Sequence, residues 1–215
     1  MKRFSFTDRD LDLIETITRR VRLLTYPQIA AIWWPTTVAR QSGQRRVSEL
    51  VREGWLEHRT ILAHPPQTVD LPVLCWSPEM KFAMQKDITN VGHHVRSRWS
   101  RPAVPAQVFV ASNKAANLFG STACGFPSRE HWNHDLHLAA VYVHYRRRFP
   151  DRARQWIGEH ALPKAGYRIK DPDAFLVDEN RRVVRVIESA GKYCQKQLEQ
   201  FVKHCYRRKV AFELW

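Results

Sequence analysis

The chain has 215 residues, 44% of them apolar, which is room for one large or two small domains with ordinary cores. Its formal net charge of +14 is spread over both halves and points to a polyanionic partner, most often nucleic acid. Composition also excludes several classes: the four cysteines (Cys75, Cys124, Cys194, Cys205) are too widely spaced for a disulfide framework, no apolar run reaches the roughly 18 residues of a membrane span, and eight glycines leave little for a nucleotide-binding loop.

The first residues run from Met1 to Ser5 into charges rather than into an apolar stretch, so no signal peptide is expected. With reduced thiols, that predicts a cytoplasmic protein, associated with a nucleoid or plasmid, with no membrane and no nucleotide cofactor among its partners. Thr7 offers an N-cap ahead of Asp8 and Asp10, and Leu11, Ile14, Ile17 and Val21 follow at helical spacing. Thr25 caps a second, short helix with Pro27 in its first turn and Ile29, Ile32 and Trp33 inward. Trp34-Pro35 breaks it. A third helix is expected from about Val38 to Glu53, stopped by Gly54. Trp55–Arg59 then pairs with Thr68–Trp76 across His64-Pro65-Pro66-Gln67. Three short helices followed by a two-stranded ribbon is the winged helix-turn-helix arrangement.

On a helical wheel the third helix turns Gly43, Val47, Leu50 and Val51 inward, with Gly43 allowing the second helix to cross closely. The outer face presents Val38, Gln41, Ser42, Arg45 and Arg52. Gln and Arg near a helix start suit base-edge hydrogen bonds, and Val suits a thymine methyl. Arg46 flanks that face and Arg52 lies further along it, both better placed for phosphate, whereas Arg40 falls toward the inner side. In the ribbon, His58, Arg59 and His64 are candidates for backbone or minor-groove contacts. The expected partner is therefore double-stranded DNA, the alternative being a winged helix that mediates protein contacts and whose polar residues form an ordinary solvated face, with a homodimer as a further possibility.

Residues 77–130 carry weaker signals. They suggest a short helix at Glu79–Gln85, a basic proline-bearing linker from His93 to Pro105 anchored by Trp99, a strand at Gln107–Ala111 and a helix at Ser112–Phe119. A boundary near Arg101 separates a domain over 1–100 from one over 101–215. In the second, His134–Arg148 reads as a helix, with a strand as the alternative because LHLAAVYVHY partly alternates, and Gln155–His160 as a strand. A hairpin follows, from Ala174–Val177 and Val183–Ile187. Cys194, Leu198, Phe201, Val202 and Cys205 mark an amphipathic helix, and Val210–Leu214 a closing strand.

Asp173 begins the first strand of that hairpin and Glu188 ends the second, so two carboxylates from distant positions converge. Such a pair raises one pKa unless a cation lies between the acids, and Mg²⁺ suits an all-oxygen site. His131, His134 and His137 form a second cluster at i, i+3 and i+6. With no cysteine or acid at zinc-finger spacing, it reads as a helix-start face toward phosphate or solvent.

Helix, three strands, helix, strand with an acid pair closing a hairpin resembles the core of PD-(D/E)xK nucleases. Pro172-Asp173 looks like the "PD", Glu188 like the first acid of "(D/E)xK", and Glu159 or Asp135 like an additional carboxylate. The resemblance implies an αβββαβ domain whose acids hold one or two Mg²⁺ (or Mn²⁺) ions, with a lysine beside the attacking water. Here the position two after Glu188 is Ala190, and the nearest lysine is Lys192. A winged helix ahead of such a domain, with "LTYPQIAAIW", "RRVSELVREGWL" and "PDAFLV…RVIESAGK", also resembles the replication-relaxation family of bacterial plasmids and mobile elements.

The expected fold is thus α+β or α/β, a winged helix-turn-helix followed by a PD-(D/E)xK-like domain. The preferred function is sequence-specific binding of double-stranded DNA, as a regulator or as a replication or transfer accessory factor, with a degenerate nuclease-like domain. The alternative is a Mg²⁺-dependent endonuclease using Glu159, Asp173, Glu188 and Lys192, with Asp173 and Glu188 on the metal.

Overall fold

The computed structural model describes residues 4–65, 69–81, 88–92, 99–121, 124–162, 172–191 and 193–215. Helix α1 (Asp8–Glu15) opens on a capping box, in which Thr7 Oγ1 accepts from the Asp10 amide and Asp10 accepts from the Thr7 amide, and it runs on into a π-helical turn, Thr16–Arg20. A two-residue strand β1 (Leu24–Thr25) leads into α2 (Tyr26–Trp33), which is closed at its start by a second capping box between Thr25 and Gln28. Thr36 caps α3 (Thr37–Arg52). All three helices start where a side-chain oxygen satisfies an amide that the helix cannot, as the sequence predicts for the first two.

Gly43 lies buried at the contact between α3 and the end of α2. A methyl group there would come within 2.6 Å of the Trp34 ring, itself 3% exposed. Gly43→Ala is therefore expected to destabilise the fold by about 1–2 kcal/mol, because overpacking outweighs the roughly 1 kcal/mol that alanine gains over glycine inside a helix. Urea unfolding measures it, and an unchanged or higher midpoint would mean that Trp34 does not seat on the glycine.

Strand β2 (Leu56–Ala63) pairs along its whole length with β4 (Val104–Ala111), from Leu56 opposite Ala111 to Ala63 opposite Val104, and β4 also pairs with β1. The first sheet is ordered β1-β4-β2. The expected partner of β2, Thr68–Trp76, instead places β3 (Leu74–Trp76) in the second sheet. The reason is burial. Val108 and Val110 of β4 pack with Ile61, Ala63 and Leu136, whereas Trp76 of β3 joins Phe201, Val202 and Phe212. The point near Arg101 falls between β3 and β4, so each sheet takes a strand from either side of it.

Helix α4 (Asn113–Leu118), capped by Ser112, follows β4. Helix α5 (Trp132–Arg148) packs under both sheets, and α6 (Pro150–Arg154) turns the chain into β5 (Trp156–Gly158). Then come β6 (Ala174–Val177), β7 (Val183–Glu188), α7 (Gln195–Arg208) and β8 (Ala211–Leu214). The second sheet is ordered β3-β8-β7-β6-β5, antiparallel except for the parallel pair β7–β8 that α7 connects. The molecule is mixed α+β with two sheets. The short helix expected at Glu79–Gln85 and the linker at His93–Pro105 lie partly outside the described residues.

One apolar cluster joins Leu13, Ile14 and Leu50 of the first helices to Tyr142, Tyr145, Trp156 and Ile187 around the second sheet. Trp156 meets Tyr142 and Tyr145 edge-on at centroid distances of 5.5 and 5.3 Å, pairs worth about 0.5–1.5 kcal/mol each beyond their buried area. Among the described residues, no helix is long and apolar enough to cross a membrane.

Candidate functional site

The hairpin register sets Ala174 opposite Ile187, so Asp173 and Glu188 stand across from each other at one end of the second sheet. Both are 1% exposed. The Glu159 amide donates to the Asp173 carbonyl at 3.0 Å, continuing the β5–β6 pairing, and brings Glu159 to the same end. The convergence of acids that the sequence suggests is therefore built by ordinary antiparallel pairing.

A residue assigned elsewhere by sequence completes the site. His134, in the first turn of α5, has Nε2 2.9 Å from Asp173 Oδ2, while Nδ1 lies 3.1 Å from Asp135 Oδ1. Donor atoms of His134, Asp173 and Glu188 all lie within 4.8 Å of one another. Burial disfavours the charged imidazole, but the Asp173 and Asp135 carboxylates outweigh it and push His134 up to about 10. Without a metal, the ring is an imidazolium held between two carboxylates. Asp173 Oδ2 also accepts the Ser189 amide at 2.8 Å, and the Ser189 hydroxyl bonds His137 Nδ1 at 2.9 Å. Hence the three histidines of the sequence cluster separate: His137 braces the loop after β7, His131 is exposed, and His134 joins the acids.

His134, Asp173 and Glu159 line a cleft of about 970 Å³, with Arg22 and Arg129 among its other walls. His160 lies in the same wall. Burial, and then the Arg22 charge, push its imidazole down to about 3, so it is neutral at ordinary pH. Sequence periodicity carries no signal for Arg22, His134 or His160 as neighbours of the acids, since they come from three separate segments.

The donor set differs from the all-oxygen site that the hairpin alone suggests. Two carboxylates suit Mg²⁺; two carboxylates and an imidazole suit a first-row transition dication better. Ala190, at the usual lysine position of the resembled motif, is 0% exposed and packs with Trp76, Ile88 and Leu198. Its φ of +55° turns the chain there, so position 190 faces the core and not the cleft. Lys192 lies outside the described residues.

On α3, Val38, Gln41, Ser42, Arg45 and Arg52 are all exposed, Val38 to 91%. Arg40 is exposed as well, contrary to the wheel. Arg52 lies within 3.5 Å of Glu49 and Glu53, and Arg45 makes no ion pair among the described residues. Arg46 is a correction. Its guanidinium is turned away from the outer face and held by Asp10 at 2.6 Å, Glu49 at 2.7 Å and the Ser5 carbonyl, because a buried carboxylate outcompetes solvent for it. On β2, His58 and Arg59 are exposed, with Arg59 over the Phe126 ring at 4.4 Å. His64 is also displaced from the expected ribbon. Its amide donates to Asn133 Oδ1 at 2.8 Å, its ring packs on Trp99, and it lines the cleft beside His134.

No protein-family model, curated protein or solved structure matches the chain.

Proposed function

We propose that this protein binds double-stranded DNA in a sequence-dependent way through the outer face of α3, as a regulator or as a replication or transfer accessory factor of a mobile element. The observation that carries the reading is that face itself: Val38, Gln41, Ser42 and Arg45 stand exposed over the first half of a helix in a chain of net charge +14. Reading DNA through such a helix needs side chains free to reach base edges, and Arg45 has no competing carboxylate among the described residues. The order α1, β1, α2, α3, β2, β4 with sheet order β1-β4-β2 supports a winged helix whose wing strands are separated by an excursion through residues 64–103. Exposed His58 and Arg59 on β2 supply the wing's contacts.

After selection of a preferred duplex from a random pool, Arg45→Ala is expected to weaken binding to it by about 1–3 kcal/mol and to relax the preference at one position. Fluorescence anisotropy on preferred and scrambled duplexes measures both. Unchanged affinity and preference would remove α3 from the interface.

A second reading, metal-dependent DNA hydrolysis, is favoured by the His134–Asp173–Glu188 cluster at the cleft. The order α5, α6, β5, β6, β7, α7, β8, with β7 parallel to β8, supports the αβββαβ likeness, the short α6 being an addition to it. Asp173 and Glu188 would hold the ion, which when bound polarises a phosphoryl oxygen and acidifies water. The core-facing Ala190 leaves no lysine at the usual place, which weighs toward a binding role. Supercoiled plasmid incubated with Mg²⁺, Mn²⁺ or EDTA separates the two: nicking absent from Glu188→Ala makes the protein a nuclease, and retardation without nicking leaves the binding protein.

A further inference from the structure

We infer that His134 is a metal ligand, and that with Asp173 and Glu188 it makes a site selective for a transition-metal dication of the Mn²⁺ kind over Mg²⁺. The inference depends on neither DNA binding nor DNA cleavage.

The geometry fits coordination. His134 Nε2 and Asp173 Oδ2 are 2.9 Å apart, close to the roughly 3 Å between adjacent ligands of an octahedron with bonds near 2.1 Å. The widest donor separation, within 4.8 Å, is little more than the span of two opposite ligands. Asp135 supplies an independent observation. It is 6% exposed, its Oδ1 takes the His134 Nδ1 contact, and its buried Oδ2 has no hydrogen-bond partner among the described residues while the residue lines the cleft. A carboxylate on one imidazole nitrogen fixes the tautomer that leaves the other nitrogen to a metal, and such partners commonly change affinity by about 10–100-fold. The Ser189 amide on Asp173 Oδ2 orients the second ligand in the same way.

Selectivity follows from the nitrogen. Mg²⁺ keeps oxygen ligands and sheds water reluctantly, so replacing an oxygen by an imidazole costs it more than it costs Mn²⁺, and a buried, partly dry pocket adds to the difference.

The test titrates Mn²⁺ into the full chain and follows the free-ion electron paramagnetic resonance signal. One equivalent should bind, and Mg²⁺ should displace it only at ten-fold or greater excess. Electron spin-echo modulation of the bound Mn²⁺ should show a directly coordinated ¹⁴N. His134→Ala should lower Mn²⁺ affinity at least ten-fold and abolish the preference, while His131→Ala, one turn away at a ring distance of 6.4 Å, should bind as the wild type does. Circular dichroism checks that the variants fold. If His134→Ala does not fold, the wild-type competition and the nitrogen coupling decide alone. An undiminished free-ion signal, equal competition by Mg²⁺ or no nitrogen coupling would each overturn the inference.

Discussion

Asp10→Ala is expected to lower the free energy of unfolding by about 3 kcal/mol, near the lower end of the range for breaking a buried ion pair. Asp10 is 0% exposed and accepts from the Thr7 amide at 2.7 Å, from Thr7 Oγ1 at 2.8 Å, and from Arg46 Nε and Nη2 at distances down to 2.6 Å. Truncation removes the side-chain half of the capping box of α1 together with the tie between α1 and α3. The loss stays near the lower end because Arg46 is 22% exposed and keeps Glu49. Burial raises the Asp10 pKa, but Arg46 and Thr7 outweigh it and hold the group below the ordinary carboxylate value of 3.8. A depressed carboxylate contributes its stability in full above the unfolded value and loses it as pH falls through the folded one. The gap between wild type and variant should therefore be widest at neutral pH and narrow below about pH 3.8. Urea titrations at pH 7 and pH 3 measure it, and a gap under about 1 kcal/mol at pH 7 would mean that the pair is not formed in solution.

The second large effect is expected at Glu213. This residue is 6% exposed and accepts from Tyr145 Oη at 2.6 Å, Trp215 Nε1 at 2.8 Å and Arg185 Nη1 at 3.0 Å. Its two oxygens satisfy three donors from α5, β7 and the chain end. Glu213→Ala leaves the Arg185 charge and a buried tyrosine hydroxyl unmatched, at a cost of about 3–5 kcal/mol. Glu213→Gln keeps the volume and one acceptor and should cost about half as much. Trp156 and Trp215 near the network make tryptophan fluorescence a direct probe of unfolding. Equal stability of wild type and Glu213→Ala would show that the network is incidental. The network also bears on the candidate site, because the Trp215 amide donates to the Glu188 carbonyl at 2.9 Å. Loosening β8 should thus weaken Mn²⁺ binding as well as the fold.

Local interactions made much of this protein legible from sequence. The caps at Thr7, Thr25 and Ser112 each act within three residues of the helix they start. The hairpin at residues 174–188 closes over a short turn, so Asp173 and Glu188 could be brought together on paper. The buried face of α7, Leu198, Phe201, Val202 and Cys205, follows directly from its period.

Partners distant in the chain were decided by tertiary structure alone. Strand β2 had an adjacent candidate at residues 68–76 and took β4 instead, because the valines of β4 fill the space against α5 and Trp76 completes the other core. Arg46 looked like a phosphate ligand until Asp10, 36 positions away, claimed it. His134 looked like part of a histidine row until the sheet carried Asp173 to within 2.9 Å of it. Periodicity and capping are set by neighbours on the chain, so the sequence by itself showed the longer helices, the later strands and the hairpin's acid pair. Strand exchange, ion-pair choice and the approach of His134 to the acids depend on which buried surfaces and charges can satisfy one another at once, and only the packed molecule settles that.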